Sequence, residues 1–175
     1  MNIDTRPPAP APFEGIDLPS FTLTSSTLTD GAPMPESATA RAGSLSPDLT
    51  WEGFPEQTAS FMLTCFDPDA PIPSGWWHWT ILDIPASITH LDPGAGTSDL
   101  TLDGPAFHLR GDAGEASYFG AAPPAGDRPH RYIFTVHALD VDTLGLDDDA
   151  TPAMASFAAL EHTIARATLT VTHQA

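Results

Sequence analysis

Lysine is missing altogether from these 175 residues, and cysteine occurs once. Six arginines face 23 acidic residues, a net charge of −17 with histidine neutral. A surface so short of positive charge repels phosphate backbones and anionic headgroups over most of its extent. That excludes nucleic acid as a partner and a polybasic dock on membranes. A single cysteine cannot close an internal disulfide, so no oxidising compartment is implied. Cys65 lies among Phe61, Met62, Leu63 and Phe66, the setting of a buried thiol rather than a nucleophile. No apolar run approaches the length of a membrane span. Residues 1–14 have no basic start with an apolar stretch behind it, so neither a signal peptide nor an anchor is expected. The expected location is the cytoplasm.

Hydrophobic residues make up 41% of the chain and charged residues 17%, enough apolar material for a real core. The 19 prolines and 13 glycines are scattered as punctuation, which suits short strands joined by stiff loops. Residues 1–17 read as a flexible N-terminal arm and residues 18–175 as one domain. Strand candidates rich in β-branched and aromatic residues are Phe21–Ser25, Ser60–Phe66, Trp76–Ile84, His130–Leu139 and Ala167–His173. Weaker ones lie at Leu100–Leu102 and Phe107–Leu109. The continuously apolar run at Phe61–Phe66 predicts a central strand. One helix is expected behind Thr151 as N-cap and Pro152 in its first turn. Its Phe157, Leu160 and Ile164 fall at helical spacing as a core stripe. The expected class is mainly β with one or two helices.

Familiar reaction centres are absent too: no nucleophile elbow, phosphate-binding loop, dinucleotide fingerprint or metal-ligand spacing appears. Three segments carry the remaining chemistry. In Asp67-Pro68-Asp69-Ala70-Pro71 two prolines stiffen a loop and hold a carboxylate at the end of a strand; an acidic turn is the plain alternative. In Gly75-Trp76-Trp77-His78-Trp79, strict alternation places His78 on one face with Trp76 and Thr80. It turns Trp77 and Trp79 the other way, toward core packing. In the stretch from Tyr118 through Pro123-Pro124 to His130-Arg131-Tyr132, a proline-stiffened loop runs into a strong strand. Alternation there puts His130 and Tyr132 on one face and Arg131 on the other.

Taken in order and spacing, these segments resemble the phosphatidylethanolamine-binding protein family, in its bacterial Raf kinase inhibitor-like branch. The resemblance is carried by Ser46-Pro47-x-Leu49-x-Trp51-x-Gly53-x-Pro55, the Asp67–Pro71 loop, Trp76-x-His78-Trp79, and Gly120 through Tyr132. His162-Thr163-Ile164-Ala165 and the strand after it add to the likeness, which runs from about residue 18 to the end. It implies a large antiparallel sheet packed on a smaller one, with a small anion-binding pocket at one end of the large sheet. Carried over residue by residue, the ligand-binding set is Asp67, Pro71, His78, Ala122, Pro124, His130 and Tyr132. Arg131 and Trp79 take structural roles, Arg131 in a salt bridge behind the pocket. Ala121-Ala122 replaces a Gly-Pro pair that many members carry, which predicts a less rigid loop. The chain ends soon after its last strand, without the C-terminal helix of animal members, which predicts an open site. The resemblance makes a cis peptide at Asp67-Pro68 or Ala70-Pro71 a candidate, and dimeric bacterial relatives are the sole support for a homodimer.

A carboxylate beside two histidines favours imidazolium, which with a tyrosine hydroxyl offers donors to phosphate or carboxylate oxygens. The expected function is therefore non-enzymatic binding of a phosphate- or carboxylate-bearing ligand, without cofactor or metal. Modulation of a kinase or another protein partner goes with it. Affinity for a bare phosphate should lie between millimolar and tens of micromolar, about −4 to −7 kcal/mol. Two alternatives stand beside it. One is an enzyme using the Asp, His and Tyr side chains for acid–base work. The other is a protease- or kinase-inhibiting protein acting through its rigid loops.

Overall fold

The computed structural model describes residues 6–175. Its large sheet has five antiparallel strands, in the spatial order β6 (Phe107–His108), β4 (Trp76–Pro85), β3 (Ser60–Asp67), β7 (His130–Leu139) and β8 (Thr163–His173). A three-stranded sheet contains β1 (Thr22–Thr24), β2 (Leu49–Glu52) and β5 (His90–Leu91), with β2 in the middle. β3 reads as an unbroken apolar run because it is the middle strand and is covered on both faces. Its Phe61, Leu63 and Cys65 pack with Trp79, Phe134 and Val136 against Leu23, Leu49 and Trp51 of the small sheet. On the opposite face Met62 meets Leu82, Leu109 and Leu139 beneath Ala155 and Ala159.

The exposed side of β8 is not left as an open ladder. Gly31 and Met34 donate to the carbonyls of Thr170 and Thr172, and Thr172 donates back to Ala32. Residues 6–13, within the stretch read as an arm, lie against the outer surface of the same sheet. Arg128 donates to the carbonyls of Arg6 and Pro7 at 2.8 and 2.9 Å, and Arg131 to that of Ala9 at 2.8 Å. The Phe13 ring sits under the Arg166 guanidinium, 3.7 Å from its centroid, and edge-on to His137.

The helix forms where expected but is shorter and buries a different face. α1 (Pro152–Ala158) is capped by the Thr151 hydroxyl, which accepts from the Met154 amide at 3.2 Å. A 3₁₀ turn follows at Ala159–Glu161, and the chain re-enters the sheet at Thr163. The spacing of Phe157, Leu160 and Ile164 thus spans a helix, a 3₁₀ turn and a strand. Phe157 is 77% exposed, while Pro152, Ala155 and Ala159 face the core. Small residues let the short helix approach the sheet closely. Leu100–Leu102 is no strand: Asp99–Thr101 forms a 3₁₀ turn that leaves Leu100 in solvent. Every peptide bond among the described residues is trans, including both candidates in the Asp67–Pro71 loop. No helix among them is long and apolar enough to cross a membrane.

Candidate functional site

Asp67 is the last residue of β3, and the loop it opens folds back onto its side chain. One carboxylate oxygen, Oδ1, accepts the amides of Asp69 and Ala70 at 2.7 and 3.1 Å, in the manner of an Asx turn. The other oxygen is left free to face β7. The loop returns through Gly75 at φ +64°, where a β-carbon would stand 2.5 Å from the Phe66 ring. Only glycine fits that approach.

β4 then departs from strict alternation. Phe66 and Cys65 of β3 pair with Trp77 and Trp79, so His78 is an extra residue opposite no partner. This is a β-bulge, and it re-aims the side chains around it. His78 and Trp79 come to the inner face together: His78 lines a cavity and Trp79 enters the core. Trp77 turns outward against Phe66, and Thr80 follows it. The face assignment by period-two counting is thereby corrected for Trp79 and Thr80.

On β7 alternation holds. His130 and Tyr132 point to the cavity, and Arg131 points away to clamp Asp69 with Nε at 2.7 Å and Nη2 at 2.9 Å. Its hydrogen bonds hold the Asp69 carboxyl below the usual carboxylate range, against the burial that raises it. Behind His130 the turn from Pro124 brings in Asp127, a residue the sequence reading left out of the site.

His130 lies between two carboxylates. Its Nδ1 meets Asp67 Oδ2 at 2.7 Å and its Nε2 meets Asp127 Oδ2 at 2.9 Å, with the ring 1% exposed. Only an imidazolium can donate to both acceptors. Burial opposes that charge, but the two carboxylates outweigh it and raise the His130 pKa above its ordinary value. Asp127 Oδ2 also receives Nη2 of Arg6 at 2.6 Å. Three of the six arginines, Arg6, Arg128 and Arg131, therefore gather here with His130 around Asp67, Asp69 and Asp127. Four cations against three carboxylates make a local exception to the acidity of the chain.

This geometry corrects the expected chemistry. Both nitrogens of His130 are spent within the protein, so it has no donor left for a ligand. His78 is the histidine whose second nitrogen is open. Its Nδ1 donates to the Phe119 carbonyl at 2.7 Å, and burial lowers its pKa, which keeps the ring neutral. Nε2 is then a lone pair toward the cavity. Tyr132 stands edge-on to His78, ring centroids 5.0 Å apart. Burial, reinforced by Asp67, pushes its phenol well up, so it remains a donor. The Ala122 amide is directed at the Tyr132 oxygen but falls short of a full hydrogen bond, and among the described residues the hydroxyl has no acceptor.

These groups border a cavity of about 390 Å³. Asp67, Pro71, His78, Ala122, Pro124, His130 and Tyr132 all line it. Trp76, Phe119, Ala70, Ile72 and Pro123, which were not in the ligand-binding set expected from the sequence, complete the wall. The loop at Ala121-Ala122 is tied to the turns after β1 by backbone and side-chain hydrogen bonds. Ala121 exchanges backbone hydrogen bonds with Ala38 and Ala40, and Gly120 donates to the Ser44 hydroxyl. A β-carbon on Gly120 would lie 2.4 Å from the Thr39 carbonyl carbon, so glycine is required there. Among the described residues no group of three or more His, Cys, Asp or Glu side chains is arranged to hold a metal ion.

The chain is similar to known proteins along most of its length. A family model described as phosphatidylethanolamine-binding protein matches residues 24–174. YbhB of Escherichia coli K12 is 44% identical over 126 residues, which cover 72% of this chain and 79% of that protein. YbcL of the same organism is 44% identical over 133 residues, 75% of this chain and 73% of YbcL. The crystal structure of E. coli YbcL, described as a new member of the mammalian PEBP family, superposes with a TM-score of 0.84 at 39% identity. That match covers 89% of this chain and 99% of YbcL. The homologue CT736 from Chlamydia trachomatis superposes with a TM-score of 0.76 at 30% identity, over 89% and 98% of the two chains.

Proposed function

The chain belongs to the phosphatidylethanolamine-binding protein family, and from that premise we propose that its cavity binds a small phosphate monoester in the singly protonated form. The observation that carries this reading is the division of labour between the two histidines. His130 is closed between Asp67 and Asp127, whereas His78 offers a neutral nitrogen that can only accept. A phosphate monoanion supplies the matching proton through its P–OH group. Its remaining oxygens take the Tyr132 hydroxyl and the Ala122 amide. The imidazolium and the arginines behind it attract the anion through space without touching it. Pro71, Pro124 and Trp76 give the site apolar walls that exclude water around these few polar groups.

Binding rather than turnover fits the same geometry. A general base needs a nitrogen free to take a proton and a nucleophile beside it. His78 has such a nitrogen, but among the described residues no serine, threonine or cysteine lines the cavity to serve as the nucleophile. A lipid headgroup and a phosphorylated side chain of a protein partner present the same phosphate chemistry.

Calorimetric titration with phosphoethanolamine, a phosphoserine peptide, inorganic phosphate and acetate separates these sources. Phosphate monoesters lose their second proton near pH 6, so binding should be several-fold tighter at pH 6 than at pH 8. It should vanish in His78→Ala and weaken in Tyr132→Phe. No heat with any phosphate at either pH, or tighter binding at pH 8, overturns the reading.

A further inference from the structure

On the outer face of the large sheet, Thr80, Thr64, Thr135 and Thr168 are register partners on β4, β3, β7 and β8. One row of threonines thus crosses four adjacent strands. The first three are 2% exposed or less. Thr64 and Thr135 form part of a second cavity, of about 220 Å³, on the opposite side of the sheet from the phosphate pocket. Phe66, Trp77 and Ile133 flank them, α1 contributes Ser156, and Pro12 and Phe13 close it from the arm.

Two properties decide what can enter. Among the described residues the lining carries no charged side chain, so an ionised guest would be stripped of water without a counter-charge. The guest is therefore uncharged. Thr64 and Thr135 bring two hydroxyl-bearing side chains to the lining, and among the described residues Thr80 Oγ1 beside them is fully buried and unpartnered. Buried hydroxyls normally find a partner in protein or bound molecule, and for Thr64 and Thr135 the open side is the cavity. The guest therefore has a polar atom to offer them. Size sets a third limit: a dry cavity of about 150 Å³ already admits benzene, so this one takes a single substituted ring.

Access is provided by Phe13. Its backbone has φ 68°, a strained value for a residue with a side chain. Its ring is held by stacking on Arg166 and edge contact with His137 rather than by the sheet ladder. Swinging it away breaks no strand pairing.

We propose that this cavity is a second ligand site, for a small uncharged ring bearing a hydroxyl or carbonyl that bonds to the Thr64–Thr135 pair. The site is independent of the phosphate pocket, and its test does not rely on that reading. Methyl resonances of Thr64, Ile133 and Thr135 are followed by NMR while phenol, benzene or benzoate is added. Phenol should shift all three saturably, benzene should bind about two- to tenfold more weakly for want of one hydrogen bond, and benzoate should leave them unmoved. In the near-isosteric Thr64→Val/Thr135→Val variant, read at Ile133, the preference for phenol over benzene should disappear. Unchanged dispersion of the amide and methyl resonances away from the cavity reports that the variant is folded. No saturable shift with phenol means a site for water only and overturns the proposal. Equal binding of phenol and benzene to the wild type, or binding of benzoate, overturns it as well. The wild-type comparison decides even if the variant does not fold.

Discussion

The two ends of β7 hold the same residue type in opposite charge states. His130 and His137 are each 3% exposed or less, on one strand seven positions apart, facing opposite sides of the sheet. His130 has a carboxylate on each nitrogen and a raised pKa. Among the described residues His137 has no partner on either nitrogen; it lies beside Arg166 and is pushed down to about 3, first by burial and then by that guanidinium. Burial penalises the charge at both positions. What differs is whether the fold delivers acceptors, and it does so only where the loops after β3 and before β7 converge. The pocket end is electrostatically organised and the far end is merely packed.

Removing one imidazole at a time should break this symmetry with opposite signs. His130→Ala leaves Asp67 and Asp127 buried near each other without their shared cation. Loss of one partner from such a cluster costs about 3–5 kcal/mol. His137→Leu instead deletes two unpaired nitrogens at similar volume and should stabilise by about 1–3 kcal/mol. Urea midpoints at pH 7, with unchanged slopes, measure both. A stabilised His130→Ala would show that the two carboxylates do not depend on the imidazolium.

The pH dependence sharpens the contrast further. His130 has a folded pKa above its unfolded value of about 6.5, so its contribution is complete below pH 6.5 and is lost as pH rises through the raised value. His137 works the other way. Between pH 6.5 and about 3 the unfolded chain binds a proton that the folded chain refuses, so stability falls with pH there. Each group contributes up to about 1.4 kcal/mol per pH unit within its window. His137→Leu should flatten the acid limb, and His130→Gln the alkaline one. Denaturation curves from pH 4 to pH 9 would show either limb unmoved if the assignment were wrong.

Where one rule governed a residue, the sequence could be read. The apolar run of β3 follows from burial on both faces alone and the alternation His130/Arg131/Tyr132 from strand period alone, and both match the structure. The pocket lining was reached through resemblance, and the structure gathers all seven of those residues around one cavity. Competing rules hid the rest. The bulge at His78 overrides period two and has no composition signal of its own. The four residues of β2 and two of β5 are too short to stand out beside prolines and turns. Asp127 lay three residues before His130, and only the turn from Pro124, closed by the Asp127 amide on the Pro124 carbonyl, aims it at the ring. Whether a histidine is charged depends on such contacts across 63 residues of sequence, as between Asp67 and His130.

The smallest effect tests the finest point of the comparison, because Arg6 and His130 donate to the same oxygen, Asp127 Oδ2. In Arg6→Gln a partly exposed ion pair is lost, which should cost only about 0.5–1 kcal/mol. The His130 titration should nevertheless move upward, since Asp127 then serves one cation in place of two. His137, remote from that carboxylate, should not move. Imidazole proton shifts followed against pH read both rings in one experiment. A downward shift of His130 would mean that Arg6 acts chiefly by holding Asp127 in place, and that losing the arm's contact loosens the clamp. An equal shift at both histidines would mean a change felt along the whole sheet rather than at one oxygen.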